Sequence, residues 1–242
     1  MKLETHCHSL GGSLCAKADV ETIIQTYKDA GFGGIVLTNH FVEKHYINYP
    51  GQTKKEKLDF YFSLFDNLKE VGVKQGVKVF LGAEISACTS EEYLLYGFDR
   101  SLFYDNELLF KLNQKELYEF AQKNGCFLYQ AHPFRDRVKV LGDPKYMHGA
   151  ESFNGHYHHV NENYKANEFC EKNHLIKMSG TDFHDVGQPV YGGIIVPDYV
   201  ENEKQLTQVI FSGEYQLITN QESYTISLNE FLEKKARENK CK

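Results

Sequence analysis

The 242-residue sequence has no C-x-x-C pair, no apolar stretch long enough to span a bilayer, no Pro- or Ser-rich linker, no internal repeat and no low-complexity tract. It also lacks an excess of positive charge, its formal net charge being −6. Each absence removes a class of protein. Without a basic stripe, long nucleic acid is not an expected partner, because backbone binding needs clustered Lys and Arg. Without an apolar span or an N-terminal secretory pattern, a membrane role is not expected and the chain is assigned to the cytoplasm. The six scattered cysteines, Cys7, Cys15, Cys88, Cys126, Cys170 and Cys241, are then expected to be free thiols. With no linker to divide it, the chain is expected to form a single domain over residues 1–242, and no feature fixes an oligomeric state.

What is present is the balance of an ordinary globular protein, with 41% hydrophobic and 25% charged residues. Short apolar runs at 34–38, 77–85, 126–130 and 175–178, with a later one at 215–219, read as strands. Between them, 19–30, 57–71, 114–123 and 201–211 have helical spacing; Asp19 is a suitable N-cap and Gly31 and Gly125 are suitable stops. The polar segment 41–57 is expected to be a loop, either beside the functional face or an ordinary connection. Strands alternating with helices imply βαβ units, hence a parallel sheet or barrel.

Polar groups fall at the carboxyl ends of these strands. Thr5-His6-Cys7-His8-Ser9 follows a short first strand, and Leu37-Thr38-Asn39-His40 closes the second. Gly82-Ala83-Glu84, Ala131-His132-Pro133-Phe134-Arg135 and Ser179-Gly180-Thr181-Asp182-Phe183-His184 follow later ones. In a parallel barrel that end is where catalytic groups converge. A period of two points His6 and His8 to one side and Cys7 to the other. Imidazoles with carboxylates suit Zn²⁺, Mn²⁺ or Fe²⁺, and Glu84 is the natural bridging carboxylate. Taken singly, a strand-end histidine is more often structural; five such motifs at one end are not explained that way.

In order and spacing, H-x-H-S, L-T-N-H, G-A-E, A-H-P-F-R and S-G-T-D-F-H resemble the PHP family, named for polymerase and histidinol phosphatase, over residues 5 to about 195. The resemblance implies a distorted (β/α)7 barrel with two or three divalent ions at the carboxyl ends of its strands. It implies hydrolysis of a phosphoester by metal-activated hydroxide; the net acidity and the lack of a basic groove favour a small phosphate monoester as the substrate. A nucleotide phosphoesterase or exonuclease, and a metal-binding module without catalysis, are the alternatives. Carried over by position, His6, His8, Glu84 and Asp182 hold one ion. Glu84 bridges to a second held by His132, and His40 and His184 belong to a third. His132 or His184 assists proton transfer. Arg135 contacts phosphate or makes a surface ion pair.

Three positions depart from the family pattern. Tyr93 stands where a ligand of the second ion is expected, Ser13 and its neighbours where one of the third is expected, and Asn39 where an Asp often precedes His40. Cys15 is either a substitute ligand or a buried thiol. The cluster His156, His158 and His159 is either a solvated loop or, through His156, a substrate contact. Residues 233–242 read as a solvated helix end.

Overall fold

The computed structural model describes residues 1–136 and 140–240; the last two residues of the expected C-terminal helix end, Cys241 and Lys242, lie outside that set. The described strands are β1 (Lys2–Cys7), β2 (Gly34–Leu37), β3 (Lys78–Ser86), β4 (Glu92–Tyr96), β5 (Phe127–Gln130), β6 (Gly149–Asn154), β7 (Ile176–Gly180), β8 (Gly192–Ile195) and β9 (Gln216–Thr219). The helices are α1 (Val20–Asp29), α2 (Glu43–Tyr46), α3 (Lys54–Gln75), α4 (Ser101–Asp105), α5 (Gln114–Lys123), α6 (Asn163–Asn173), α7 (Glu203–Ser212) and α8 (Gln221–Lys240). None is long and apolar enough to cross a membrane.

Local chemistry explains the helix limits. Asp19 Oδ1 accepts the Thr22 N–H at 2.8 Å, satisfying one of the free donors at the start of α1. Thr53 with Glu56, and Asn113 with Glu116, form capping boxes that start α3 and α5. Gly76, at φ +75°, ends α3. Segment 41–57 is therefore less loop than expected, since it contains α2 and the first turn of α3. Its Tyr49 hydroxyl donates to the carbonyls of Gly12 and His40 at 2.9 and 2.8 Å, so it does lie against the functional face.

The sheet order is β7-β6-β5-β4-β3-β2-β1-β8-β9. Pairs β1/β2, β2/β3, β5/β6 and β6/β7 are parallel, whereas β4 runs antiparallel to both neighbours and β8 antiparallel to β1 and β9. The expected barrel is present, but as a mixed sheet rather than a regular repeat of seven parallel β/α units. Its two ends nearly meet. Beyond β7, the Phe183 N–H donates to His6 O at 3.0 Å and the His8 N–H to Phe183 O at 2.9 Å, giving a bridge between Cys7 and Phe183.

Leu3, Val36, Phe80, Leu94, Tyr96, Tyr129, Met178 and Ile194, from seven different strands, pack together inside the barrel, with Leu206, Val209 and Ile210 of α7 against them. Val79, Leu81, Ala83 and Ile85, the alternate residues of β3, belong to the outer core with Ile24, Phe65 and Leu68 of the helices. Parity along β1 changes partway: Leu3 joins the inner cluster, Cys7 the outer one. A register shift against β2 between Glu4 and Cys7 makes the change. It is what lets His6 and His8 face the same interior as Leu3.

Candidate metal centre

Five chain segments deliver side chains to one end of the barrel. His6 and His8 come from the end of β1, His40 from just beyond β2, Glu84 from β3, His132 from just beyond β5, and Asp182 and His184 from the segment that closes the barrel. All seven expected metal ligands meet there. His6, His8 and Glu84 are fully buried, and Asp182 is 1% exposed.

Glu84 is central. Its Oε2 lies 3.3 Å from His6 Nε2, 3.2 Å from His8 Nε2 and 2.9 Å from His40 Nδ1, and its Oε1 lies 3.1 Å from His132 Nε2. Asp182 Oδ1 lies 3.4 Å from both His6 Nε2 and His8 Nε2 and 3.2 Å from His184 Nδ1. Donor atoms fall into groups within 4.8 Å of one another: His6, His8 and Asp182; His6, Glu84 and His132; His8, His40 and His184; and His40, Glu84 and Glu92.

This donor set fits divalent metal ions. His6 Nε2, His8 Nε2, His40 Nδ1 and Glu84 Oε2 are buried and have no hydrogen-bond partner among the described residues. Buried polar atoms are normally paired, so atoms that converge unpaired on one another mark a cation position. The other ring nitrogens are fixed from behind. His6 Nδ1 is 3.0 Å from Glu151 Oε1, and His8 Nδ1 is 3.0 Å from Ser13 Oγ. With Nδ1 donating, each Nε2 lone pair faces the site.

The charges are strongly coupled. Burial opposes ionisation of Glu84, but the His40 and His6 imidazoles hold its carboxyl well below the ordinary carboxylate range. Burial, then the nearby His184 and His40, push His8 down to about 3, so it is neutral. Burial also opposes the charged form of His184, yet Asp182 lifts it to about 9. His132 and Asp182 have φ of +30° and +54°, a left-handed conformation that costs a non-glycine residue energy and occurs where a side chain must be aimed.

Other expectations are revised by position. Tyr93 is in the outer core and supplies nothing to the site, because β4 pairs Ile85 with Tyr93 and turns both away from Glu84. Ser13 is buried, where it holds His8 Nδ1 and accepts the His40 N–H at 3.1 Å. Asn39 accepts the Ser9 N–H at 2.8 Å and donates to Ser9 Oγ at 2.9 Å, tying the loop after β1 to the end of β2. Cys15 is an exposed thiol on the cavity wall, not a buried one. Although burial opposes ionisation, His184 and His40 draw its thiol down to about 6.

Arg135 lines the cavity rather than the outer surface; it pairs with Asp182 and donates to Asn154 and Asn161 at 2.9 and 3.0 Å. The histidine cluster after β6 is no solvated loop. His156 is 6% exposed, its ring centre is 5.5 Å from that of His184, and His156, His158 and His159 all line the cavity.

Three carboxylates have roles that the sequence alone does not assign, although the segment 151–155 resembles a family segment that packs near the site. Glu151 of β6 accepts His6 Nδ1 through Oε1, and the His132 N–H at 2.8 Å and Asn154 Nδ2 at 2.9 Å through Oε2. Glu4 Oε1 accepts the N–H groups of Thr5, His6 and Thr181 at 2.8–2.9 Å. Those groups sit where β1 leaves β8 and has not yet met Phe183, so the sheet offers them no acceptor. Glu92 reaches the cavity on the inner face of β4. The signal that could have found Glu92 is its even spacing from Leu94 and Tyr96, which face the barrel interior.

No family model and no curated protein matches the chain. Solved structures do. A two-domain protein containing a predicted PHP-like metal-dependent phosphoesterase, from Bacteroides vulgatus, superposes with a TM-score of 0.66 at 19% identity, covering 95% of this chain and 69% of that one. PsfC from Pseudomonas syringae gives 0.67 at 14%, covering 95% and 96%. The lesion-specific endonuclease PfuEndoQ from Pyrococcus furiosus gives 0.58 at 14%, covering 89% of this chain but 57% of its own. At such identities the likeness is one of fold: the chain has the barrel fold of the PHP-like metal-dependent phosphoesterases.

Proposed function

We propose that the protein is a metal-dependent hydrolase of phosphoesters, acting on a small phosphate monoester. The observation that carries this reading is the convergence of buried, unpartnered His6 Nε2, His8 Nε2 and Glu84 Oε2 beside a cavity of about 370 Å³. His6, His8, Glu84 and Asp182 would hold the first ion, His132 with Glu84 the second, and His40 and His184 a third; Zn²⁺, Mn²⁺ and Fe²⁺ suit these donors. Bound there, such ions would clamp a phosphate oxygen and lower the pKa of water toward neutrality.

The chain's own residues do the rest. Arg135 holds Asp182 in place and brings a fixed positive charge to the cavity wall, where phosphate oxygens would lie. His184, kept protonated by Asp182 when not serving as a ligand, is better placed than His132 to protonate the leaving oxygen, since His132 Nε2 faces Glu84. His156 stands beside it as a substrate contact. The mouth is walled by His158, His159 and Phe231 of α8, which favours a small substrate, as does the net charge of −6. A cytoplasmic setting, in which scattered cysteines stay as thiols, is part of this reading.

A second reading, cleavage of nucleic acid, is favoured by one observation: the fold is shared with the endonuclease. The test is turnover by the Mn²⁺- and Zn²⁺-loaded protein on a panel of small phosphate monoesters and on short oligonucleotides, with His8→Ala and Asp182→Ala as controls. Hydrolysis of monoesters that both substitutions abolish is expected. Stoichiometric metal with no turnover on any phosphoester would sink the reading, and turnover confined to oligonucleotides would transfer it to the second.

A further inference from the structure

Glu92 lines the cavity without a role in the metal set described above; Asp185, another carboxylate of the cavity wall outside that set, is paired with Lys17 at 2.7 Å. In the β3/β4 hairpin, Glu84 is opposite Leu94 and Ser86 opposite Glu92, so Glu92 emerges on the face that carries Glu84, one step nearer the mouth. Ser86 Oγ donates to Glu92 Oε1 at 3.3 Å, leaving Oε2 directed at His132 Nε2, 3.6 Å away. Donor atoms of His40, Glu84 and Glu92 fall within 4.8 Å of one another. Two members of that group, Glu84 Oε2 and His40 Nδ1, are buried without a hydrogen-bond partner among the described residues. Glu92 itself is about one-third exposed, its side chain at 34%. Two carboxylates this close repel unless a cation lies between them.

We infer that Glu92 is a ligand of the second metal ion, completing with Glu84 and His132 a position that is richer in oxygen than the His6, His8, Asp182 position. Oxygen donors favour Mn²⁺ and Fe²⁺, and imidazoles raise the relative hold on Zn²⁺. The two positions therefore differ in metal preference: the inner one takes Zn²⁺ well, and the one at Glu92 is biased toward Mn²⁺. One-third-exposed Glu92 also makes this the ion that exchanges with solvent, while the buried inner set retains its own.

The inference rests on the metal reading of the site and not on turnover. The experiment titrates the metal-free full-length protein with Mn²⁺ and counts free ion by electron paramagnetic resonance. Zn²⁺ is titrated separately in competition with a chromophoric chelator. Glu92→Gln should weaken one Mn²⁺ by at least about ten-fold, the lower bound for disturbing even a supporting contact of a metal site, and leave the other unchanged. Glu92→His should restore that position for Zn²⁺ more than for Mn²⁺. Circular-dichroism melts establish that both variants are folded. An unchanged Mn²⁺ number and affinity in Glu92→Gln, or an unaltered Mn²⁺ to Zn²⁺ ratio in Glu92→His, overturns the assignment. If ions bind as stated but no phosphoester is hydrolysed, the ligand stands and the hydrolase reading falls.

Discussion

Glu151 Oε1 lies 3.0 Å from His6 Nδ1, both side chains being fully buried, so a carboxylate two strands away from Glu84's hairpin fixes which nitrogen of His6 faces the metal position. Its second oxygen anchors the His132 backbone. Glu151→Ala should therefore lower metal affinity by about 10–100-fold, and Glu151→Gln, which keeps an acceptor, by less. Chelator competition measures this. Equal affinity in wild type and Glu151→Ala would show that His6 is oriented by something else.

Gly180 bears on the same histidine by proximity. A Cβ at this position would stand 2.7 Å from His6 Cβ and 2.8 Å from Glu151 Oε1. Both neighbours are fully buried, His6 on β1 and Glu151 on β6, and are tied to each other at 3.0 Å. Gly180→Ala is expected to cost about 1–3 kcal/mol of stability, typical of overpacking, and to reduce metal content as well. Urea unfolding of the metal-free protein reads the first effect. Full stability would mean that the seam between β1 and β7 can widen.

Glu4 caps that seam, and burial pushes its carboxyl up to about 7 from 4.5. Glu4→Ala would leave three buried N–H donors unpaired, at about 1–3 kcal/mol each, so a loss of more than about 3 kcal/mol is expected. The pH dependence has a definite sign. With its folded pKa raised, the group's contribution is fully present below about 4.5 and is lost as pH rises to about 7. Stability of the metal-free wild type should fall across that window, and Glu4→Gln should flatten the fall. Parallel pH profiles for the two proteins would remove Glu4 as the cause.

Metal binding should release protons. Burial resists the charge on His6 and His40, but Asp182 beside His6 and Glu84 beside His40 raise both well above the ordinary histidine value, and Asp182 holds His184 at about 9. At neutral pH an entering ion displaces those protons, so affinity should climb as pH rises toward about 9. Calorimetric titration in buffers of different ionisation enthalpy counts the protons. A binding heat independent of buffer would contradict the assigned charges.

How much of this could be read in the chain depended on distance along it. His6 with His8, and Asp182 with His184, are visible because both members of each pair sit within one short motif whose alternation does the aiming. The roles of Glu151 and Glu92 were not visible, because their use depends on neighbours that the sequence does not announce. β4 is antiparallel in a sheet read as parallel, and its parity, not its position after Glu84, sends Glu92 inward and Tyr93 outward. β6 is a polar strand, Gly-Ala-Glu-Ser-Phe-Asn, whose register shifts between Glu151 and Phe153, so it shows no apolar run. Glu4 is the same kind of case. Its partner Thr181 is 177 residues away, and only barrel closure creates the unpaired donors it serves.

That closure has a consequence for the life of the molecule. His6 and His8 lie on one side of the seam and Asp182 and His184 on the other, joined by the bridge from Cys7 to Phe183. An ion held between them would be a cross-link from the head of the chain to its last third. Opening the barrel would then require the ion to leave first, and proteases attack chains that open. Divalent metal in the surrounding medium would thus govern how long each copy of the chain survives, and starvation for metal would be felt as turnover of the protein itself.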